Sequence, residues 1–158
     1  GYDLALRFGE PPTRSDLIGR VVARMVGQLC ASPAYLASQP KPITIEDIGQ
    51  HRQLRSGTRE RPRAWTLRTQ AGATHTIPPR PILLCDNAGA LRDAALAGLG
   101  VACLPTFLID DDMRTGRLQI LCPEYTTAEF PITILYPTRR QLSRKVRLFI
   151  DHVVDHLS

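Results

Sequence analysis

The stretch from residue 84 to residue 105 constrains the fold most, because an apolar run, a polar turn, an Ala-rich segment and another apolar run follow one another. The first apolar run, residues 81–85, has the length of a strand. Either Asp86 or Asn87 can then cap the amino end of a helix. Apolar residues with helical spacing follow the turn, at Leu91, Ala94, Ala95 and Leu99.

Two glycines and a proline close this unit. Gly98 and Gly100 suit the end of a helix that needs a positive φ angle. Residues 101–104 form the second apolar run, and Pro105 stops it. A strand–helix–strand unit of this kind predicts a pair of parallel strands, with the small-residue helix packed on the sheet.

Ligands of open α/β sheets bind beyond the carboxyl ends of the strands, close to the amino termini of helices. Two places in this unit meet that description, the Asp86–Asn87 turn and the Pro105–Thr106 step. The sequence therefore predicts a ligand-binding edge at these two turns.

Further strands are predicted at residues 3–8, 25–31, 117–121 and 131–136, with a hairpin at residues 64–77. The first strand has no neighbour within the first 15 residues. Its partner must therefore come from the C-terminal part of the chain or from sequence that precedes residue 1.

Short helices are predicted from Ser32-Pro33 and from Thr44, and a long helix follows Ser143. The long helix has one apolar face, made of Val146, Phe149, Ile150, Val153 and Leu157. Strands that alternate with helices in this way predict an α/β fold.

The net charge of +5 comes almost entirely from arginine, since 18 of the 20 basic residues are Arg. The arginines are densest between residues 52 and 68, at Arg52, Arg55, Arg59, Arg61, Arg63 and Arg68. A nucleic-acid patch would suit this charge, but Trp65 is the only ring nearby. We therefore interpret these arginines as the solvated face of a loop and hairpin.

The four cysteines lie in apolar runs or at the end of one: Cys30, Cys85, Cys103 and Cys122. No two of them form a C-x-x-C pair. This pattern favours buried free thiols over a zinc site or a disulfide. His152 and His156 have the i, i+4 spacing of metal ligands on a helix, but no third ligand accompanies them. We expect no metal and no cofactor.

Enzyme motifs are not recognisable either. The Gly98-x-Gly100 pair ends a helix and opens a strand, which is the reverse of a dinucleotide-binding context. The cysteines lack a nucleophile elbow, so we expect no enzymatic activity. No run approaches the roughly 18 apolar residues of a membrane helix. The chain opens on Gly rather than Met and begins with a strand, so we expect a fragment that starts inside a domain.

Six segments, in order, resemble the effector-binding domain of LysR-type transcriptional regulators. One is the unit described first, residues 84–105, in which a polar turn opens an Ala-rich helix that ends in Ala-Gly-Leu-Gly-Val-Ala-Cys-Leu-Pro. Residues 2–9, Tyr-Asp-Leu-Ala-Leu-Arg-Phe-Gly, and residues 30–36, Cys-Ala-Ser-Pro-Ala-Tyr-Leu, are similar to two further family motifs. The remaining similar segments are residues 42–54, Trp65, and residues 136–140 with 142–150.

The resemblance implies a type-2 periplasmic-binding-protein-like fold, with two α/β lobes joined by crossing strands. It assigns residues 23–129 to the second lobe, and residues 1–22 and 130–158 to the remains of an incomplete first lobe. The family's winged helix-turn-helix has no counterpart in this sequence. We therefore expect DNA binding only through a domain that this chain lacks.

The resemblance also implies that a small, often anionic effector binds between the lobes. The implied effector-binding residues are Arg7, Phe8, Gly9, Ser32, Pro33, Asp86, Asn87, Pro105 and Thr106. Backbone N–H groups and hydroxyls at helix starts bind carboxylates. Simpler roles stay open: Ser32 and Asn87 as plain helix caps, Arg7 in a surface ion pair, and Phe8 in the core. Asp86 would repel an anion, which favours an effector with a donor group or a capping role.

The resulting prediction is the effector-sensing and oligomerisation domain of a cytoplasmic LysR-family regulator. The full-length protein would form a dimer or tetramer, with no membrane partner. The effector would shift the attached DNA-binding domains by favouring one arrangement of the protein. The alternative is a stand-alone solute-binding protein of the same fold, which would need a secretion signal; the thiol-rich sequence argues against it.

Overall fold

The computed structural model describes residues 4–8, 17–39, 44–58, 61–62, 64–137 and 144–157. They form a mixed α/β structure with two compact units. Unit 1 comprises Gly1–Met25 and Glu129–Ser158, and unit 2 comprises Val26–Ala128. The lobe boundaries implied by the resemblance, after residues 22 and 129, stay a prediction.

The elements follow one another along the chain in this order: β1 (Ala5–Phe8), β2 (Leu17–Met25), β3 (Gly27–Ala31), α1 (Pro33–Ala37), a 3-10 helix (Asp47–Gln50), β4 (Gln53–Arg55), β5 (Gly57–Thr58), β6 (Arg61–Pro62), β7 (Trp65–Arg68), β8 (Thr74–Ile77), β9 (Pro81–Leu84), α2 (Ala88–Leu96), β10 (Val101–Pro105), α3 (Thr106–Arg114), β11 (Gln119–Leu121), β12 (Thr126–Thr127), β13 (Phe130–Pro137) and α4 (Arg144–Leu157).

Unit 1 contains a three-stranded antiparallel sheet in which β13 lies between β1 and β2. The first strand therefore finds its partner in the C-terminal part of the chain, as predicted, with Ala5 opposite Leu135. Val146 and Ile150 of α4 are buried with Ile132 and Ile134 of β13. Burial of such aliphatic side chains is worth about 1.5–3 kcal/mol each.

One part of the predicted α4 face is wrong. Phe149 is 45% exposed, whereas Val146 and Ile150 are buried. The predicted cap Ser143 lies outside the described residues.

Unit 2 is built on a five-stranded mixed sheet in the order β11-β3-β10-β4-β9. β10 and β9 are both parallel to β4, whereas β3 is antiparallel to β10 and β11 is antiparallel to β3. The prediction that the two strands joined by α2 pair with each other is therefore wrong. β9 and β10 are parallel, but they are not adjacent. Gln53 and Leu54 of β4 lie between them, opposite Val101 and Ala102.

Apolar clusters cover both faces of this sheet. On one face, Leu91 and Ala95 of α2 and Ile109 of α3 pack on Leu54 and Leu104. On the other face, the cluster is formed by Leu29, Tyr35, Ile48, Trp65, Leu67 and Ile77. The second face is covered by the predicted hairpin, β7 and β8, whose register places Trp65 opposite Ile77. β12 extends the hairpin by pairing with β7, and β5 pairs with β6.

The two glycines after α2 are required for different reasons. Gly98 has a φ angle of +77°, as predicted for the end of a helix. At Gly100 a Cβ atom would lie 2.2 Å from the carbonyl oxygen of Arg52. Close approach of two backbones, rather than a positive φ angle, therefore explains the second glycine. The same Arg52 carbonyl accepts a hydrogen bond from the N–H of Val101 at 2.8 Å.

Candidate functional site

The carboxyl ends of β4, β9 and β10 meet at one edge of the unit 2 sheet, because these strands are parallel. The predicted turns Asp86–Asn87 and Pro105–Thr106 follow β9 and β10 and therefore lie at this same edge. β3 adds its amino end here, since Gly27 lies opposite Pro105. We call this the carboxyl edge.

Asn87 caps α2 at the carboxyl edge. Its side-chain oxygen accepts a hydrogen bond from the N–H of Ala90 at 3.0 Å, so the capping role that the sequence left open is confirmed. Asp86 is exposed and precedes the cap. Its carboxylate adds negative charge to this edge, close to the positive end of the α2 dipole.

The start of α3 differs from the start of α2. Pro105 precedes the helix and supplies no side-chain cap. The N–H of Thr106 donates to the carbonyl oxygen of Val26 at 3.1 Å, which joins α3 to the segment before β3. Helix starts without a capping side chain attract anionic groups, so this end of α3 suits a carboxylate better than the capped end of α2.

Two residues of the carboxyl edge were not predicted from the sequence. The N–H of Gly27 donates to the hydroxyl of Thr127 at 2.7 Å. A Cβ at position 27 would approach the Thr127 methyl carbon to 3.2 Å, so a side chain here would disturb the contact. A glycine inside an apolar strand pattern is a signal of such close approach, but Thr127, 100 positions further along the chain, gave no local signal.

Ser32 and Pro33 do not lie at the carboxyl edge, which corrects their grouping with the other turns. They follow β3, which runs antiparallel to β10, so they lie at the opposite edge of the sheet. Ser32 is only 3% exposed, and its hydroxyl accepts the N–H of Tyr35 at 3.3 Å. Ser32 is therefore the cap of α1.

The other predicted effector-binding residues belong to unit 1. Arg7 and Phe8 lie in β1, opposite Thr133 and Ile132 of β13. Phe8 is 51% exposed, so its alternative role as a core residue is wrong. Gly9 lies outside the described residues. Effector binding by Arg7, Phe8 and Gly9 stays a prediction.

Arg55 is fully buried, so the predicted solvated role is wrong for this residue. Its Nε donates to the side-chain oxygen of Gln53 at 2.7 Å. One terminal nitrogen donates to the carbonyl oxygens of Ile77 at 3.0 Å and Pro78 at 2.9 Å. The guanidinium carbon lies 3.8 Å from the centre of the Trp65 ring. Burial lowers the pKa of Arg55 to about 10, which leaves it charged at neutral pH.

The remaining arginines of this region fit the prediction where they are described. Arg52 and Arg68 are exposed. Arg59 and Arg63 lie outside the described residues, and so does the side chain of Arg61.

Asp112 of α3 carries a second buried charge and is 0% exposed. Arg92 of α2 binds both of its oxygens, at 2.5 Å through Nε and 2.9 Å through a terminal nitrogen. Arg117, after α3, contacts the carboxylate at 2.6 Å. This network ties α2 to α3, the two helices that begin at the carboxyl edge.

All four cysteines are free thiols. Burial raises the pKa values of Cys30 and Cys103 to about 12, which makes their thiolates scarce at neutral pH. Within the described ranges, no group of three His, Cys, Asp or Glu side chains is arranged to hold a metal ion. Among the described helices, none is long and apolar enough to cross a membrane.

A mixed sheet covered on both faces, with two helices that begin at one edge, makes unit 2 an α/β module, a class of fold in which ligands commonly bind beyond the carboxyl ends of the strands. The amino-acid sequence matches the family model of the LysR substrate binding domain over residues 1–158. The chain therefore belongs to the LysR substrate-binding-domain family. Domains of this family are the effector-binding domains of LysR-type regulators.

Known relatives support this family. The HTH-type transcriptional regulator PtxR of Pseudomonas aeruginosa is 32% identical over 155 residues, which are 98% of this chain and 49% of that protein. The chain thus spans about half the length of the curated relatives that it matches.

Solved structures show the same fold. The regulatory domain of CrgA, a LysR-type transcriptional regulator from Neisseria meningitidis, has a TM-score of 0.84 at 28% identity, over 99% of this chain and 76% of that one. The regulatory domain of an AphB variant from Vibrio vulnificus has a TM-score of 0.78 at 30% identity, over 98% of this chain and 77% of that one. The fold is that of LysR regulatory domains, as the resemblance implied.

Proposed function

We propose that this chain senses a small metabolite for a LysR-type transcriptional regulator and that the carboxyl edge of unit 2 binds this effector. The observation that carries the proposal is the start of α3, where Pro105 supplies no side-chain cap. N–H groups at such a helix start, together with the helix dipole, favour a carboxylate. Asp86, exposed at the same edge, favours an effector that also carries a hydrogen-bond donor.

In the full-length protein we expect the effector to change how the attached DNA-binding domains contact their operator. A ligand shifts a protein between two states only by its difference in affinity for them. Relatives that are HTH-type transcriptional regulators support this role. We propose a cytoplasmic dimer or tetramer that contacts DNA only through a helix-turn-helix outside this chain and performs no catalysis. Arg7 and Phe8 of unit 1 remain proposed effector contacts.

The experiment is a thermal-shift screen of small carboxylates on the full-length protein, followed by titration of the best ligand. Thr106→Val removes the hydroxyl at the start of α3. Thr115→Val is the matched control, because its hydroxyl donates to the Asp111 carbonyl at the other end of the same helix, at 2.7 Å.

We expect Thr106→Val to weaken effector binding by roughly threefold to tenfold, the loss of one neutral hydrogen bond. Thr115→Val should leave the affinity unchanged. The proposal fails if both variants bind the effector as the parent protein does, or if DNA footprints of the full-length protein are identical with and without the effector.

A further inference from the structure

A groove that the proposed effector site does not use lies at the opposite edge of unit 2. Its volume is about 220 Å³, and its lining includes Glu46, Gln50, His75, Ile77 and Arg80. The 3-10 helix with Gln50 precedes β4, and Arg80 directly precedes β9. The groove therefore lies at the amino ends of these parallel strands, across the sheet from the carboxyl edge.

The lining carries charged side chains of both signs. Glu46 lies 3.7 Å from the ring nitrogen Nδ1 of His75. Hydrogen bonds from its own backbone and from Thr44 lower the pKa of the Glu46 carboxyl, so this carboxylate is ionised at neutral pH. Arg80 is exposed, and within the described part of the chain its side chain has neither an ion pair nor a hydrogen bond.

Buried polar groups fix one wall of the groove from behind. Arg55 donates to the carbonyl oxygens of Ile77 and Pro78. The side-chain oxygen of Gln53 accepts the N–H of Arg80 at 2.7 Å. These bonds hold the connection between β8 and β9 in one conformation, so the groove is formed before any ligand arrives.

Gln53, which holds Arg80 from behind the groove, also has a side-chain donor without a partner in the described part of the chain. Gln53 is 0% exposed, and its Nε2 has no hydrogen-bond partner among the described residues. Its oxygen already accepts from Arg55 and Arg80, which fixes the orientation of the amide. Buried donors without a partner are rare in folded proteins and mark positions that a water or ligand group completes.

We propose that this groove binds a small zwitterion of the size of a free amino acid, with its carboxylate on Arg80 and its ammonium group on Glu46. A cavity of about 220 Å³ is smaller than the roughly 300–1,000 Å³ of pockets for drug-sized ligands. One charged side chain of each sign matches a ligand that carries both charges. The exposed Pro78 in the lining suits an aliphatic side chain.

The test is calorimetric titration of the full-length protein with three probes: leucine, N-acetylleucine, which lacks the ammonium group, and leucine amide, which lacks the carboxylate. Leucine should bind most tightly, and each analogue should bind about tenfold more weakly, because each loses a charge-assisted hydrogen bond.

Matched charge variants locate the site. Arg80→Gln should weaken leucine binding about tenfold or more, whereas Arg68→Gln, at an exposed arginine of the hairpin, should not change it. Glu46→Gln should act like Arg80→Gln, with the exposed Glu124→Gln as its control.

Four outcomes overturn the proposal. These are no binding of leucine, equal binding of leucine and N-acetylleucine, equal leucine affinity in Arg80→Gln and Arg68→Gln, and loss of leucine binding in Thr106→Val. The last outcome would assign leucine to the carboxyl edge. Because the groove and the carboxyl edge lie at opposite edges of the sheet, leucine binding is expected whether or not the proposed effector role holds.

Discussion

Unit 2 buries two charges of opposite sign, Arg55 and Asp112, and the two sites solve the problem of burial differently. The partners of Arg55 among the described residues are neutral: two backbone carbonyls, the amide of Gln53 and the ring of Trp65. Asp112 lies between two cations, Arg92 and Arg117. An ion in the interior needs either hydrogen bonds or counter-charge, and this domain uses one solution on each face of the sheet.

Each of the two networks stabilises a different edge of the sheet. The Asp112 network joins α2 and α3, whose amino ends form the carboxyl edge. The Arg55 network holds Ile77 and Pro78 at the groove on the opposite edge. The partners of Asp112 are partly solvated, since the side chains of Arg92 and Arg117 are 26% and 55% exposed, whereas Arg55 is fully enclosed.

The largest effect is expected from Arg92→Ala. It leaves the buried Asp112 carboxylate with Arg117 alone, and breaking one side of a buried ion pair costs about 3 kcal/mol in the free energy of unfolding. Urea unfolding followed by Trp65 fluorescence measures this. The control is Arg114→Ala, which breaks an exposed pair with Asp111 and should leave the free energy of unfolding nearly unchanged, because solvent screens such pairs. Equal losses in both variants would show that the buried network is unimportant.

Arg55→Met should cost less, about 2 kcal/mol, because it replaces the guanidinium by an apolar chain and leaves buried acceptors without their donor. The same urea experiment applies. Arg52→Met is the control, since the exposed Arg52 lies over the Tyr35 ring at 5.0 Å and should contribute about 0.5–1 kcal/mol. A stabilised Arg55→Met variant would contradict the view that neutral partners compensate for burial.

Asn87→Ala should cost about 1 kcal/mol through loss of the α2 cap. Asn87→Asp keeps an acceptor for the N–H of Ala90 and should restore most of that stability. Thermal unfolding of both variants checks the pair. If Asn87→Ala is neutral, the cap does not stabilise α2.

The smallest effect concerns pH and His51. Burial lowers the pKa of His51 below its ordinary value of 6.5, and Tyr35 hydrogen-bonds its Nδ1 at 3.0 Å. The unfolded chain therefore binds a proton first as the pH falls below about 6.5, so the folded state loses stability in that range. His51→Gln should reduce the difference between unfolding free energies measured at pH 7.5 and pH 5.5. An unchanged difference would assign the pH dependence to other groups.

Local sequence pattern predicted the elements that depend on neighbouring residues. The strand–helix–strand unit, the hairpin and the caps at Ser32 and Asn87 are all present. Each depends on hydrogen bonds between residues close in the chain, and such bonds leave a signature in the sequence.

Strand order and direction could not be predicted in the same way. The three-residue β4 is too short to give a periodic pattern, yet it separates β9 from β10. Nothing near Ser32 specifies that β3 runs antiparallel to β10, and this direction places Ser32 at the wrong edge for the predicted site. The local sequence predicts a solvated Arg55 because two of its partners, Ile77 and Pro78, lie 22 and 23 positions away.

The measurement that tests the central claim most directly is hydrogen–deuterium exchange of the full-length protein, with and without the effector found by the carboxylate screen. Effector binding at the carboxyl edge predicts slower exchange at residues 26–27, 86–89 and 105–108 of unit 2, and no change at residues 32–36. Slower exchange at residues 32–36, with none at residues 105–108, would contradict it.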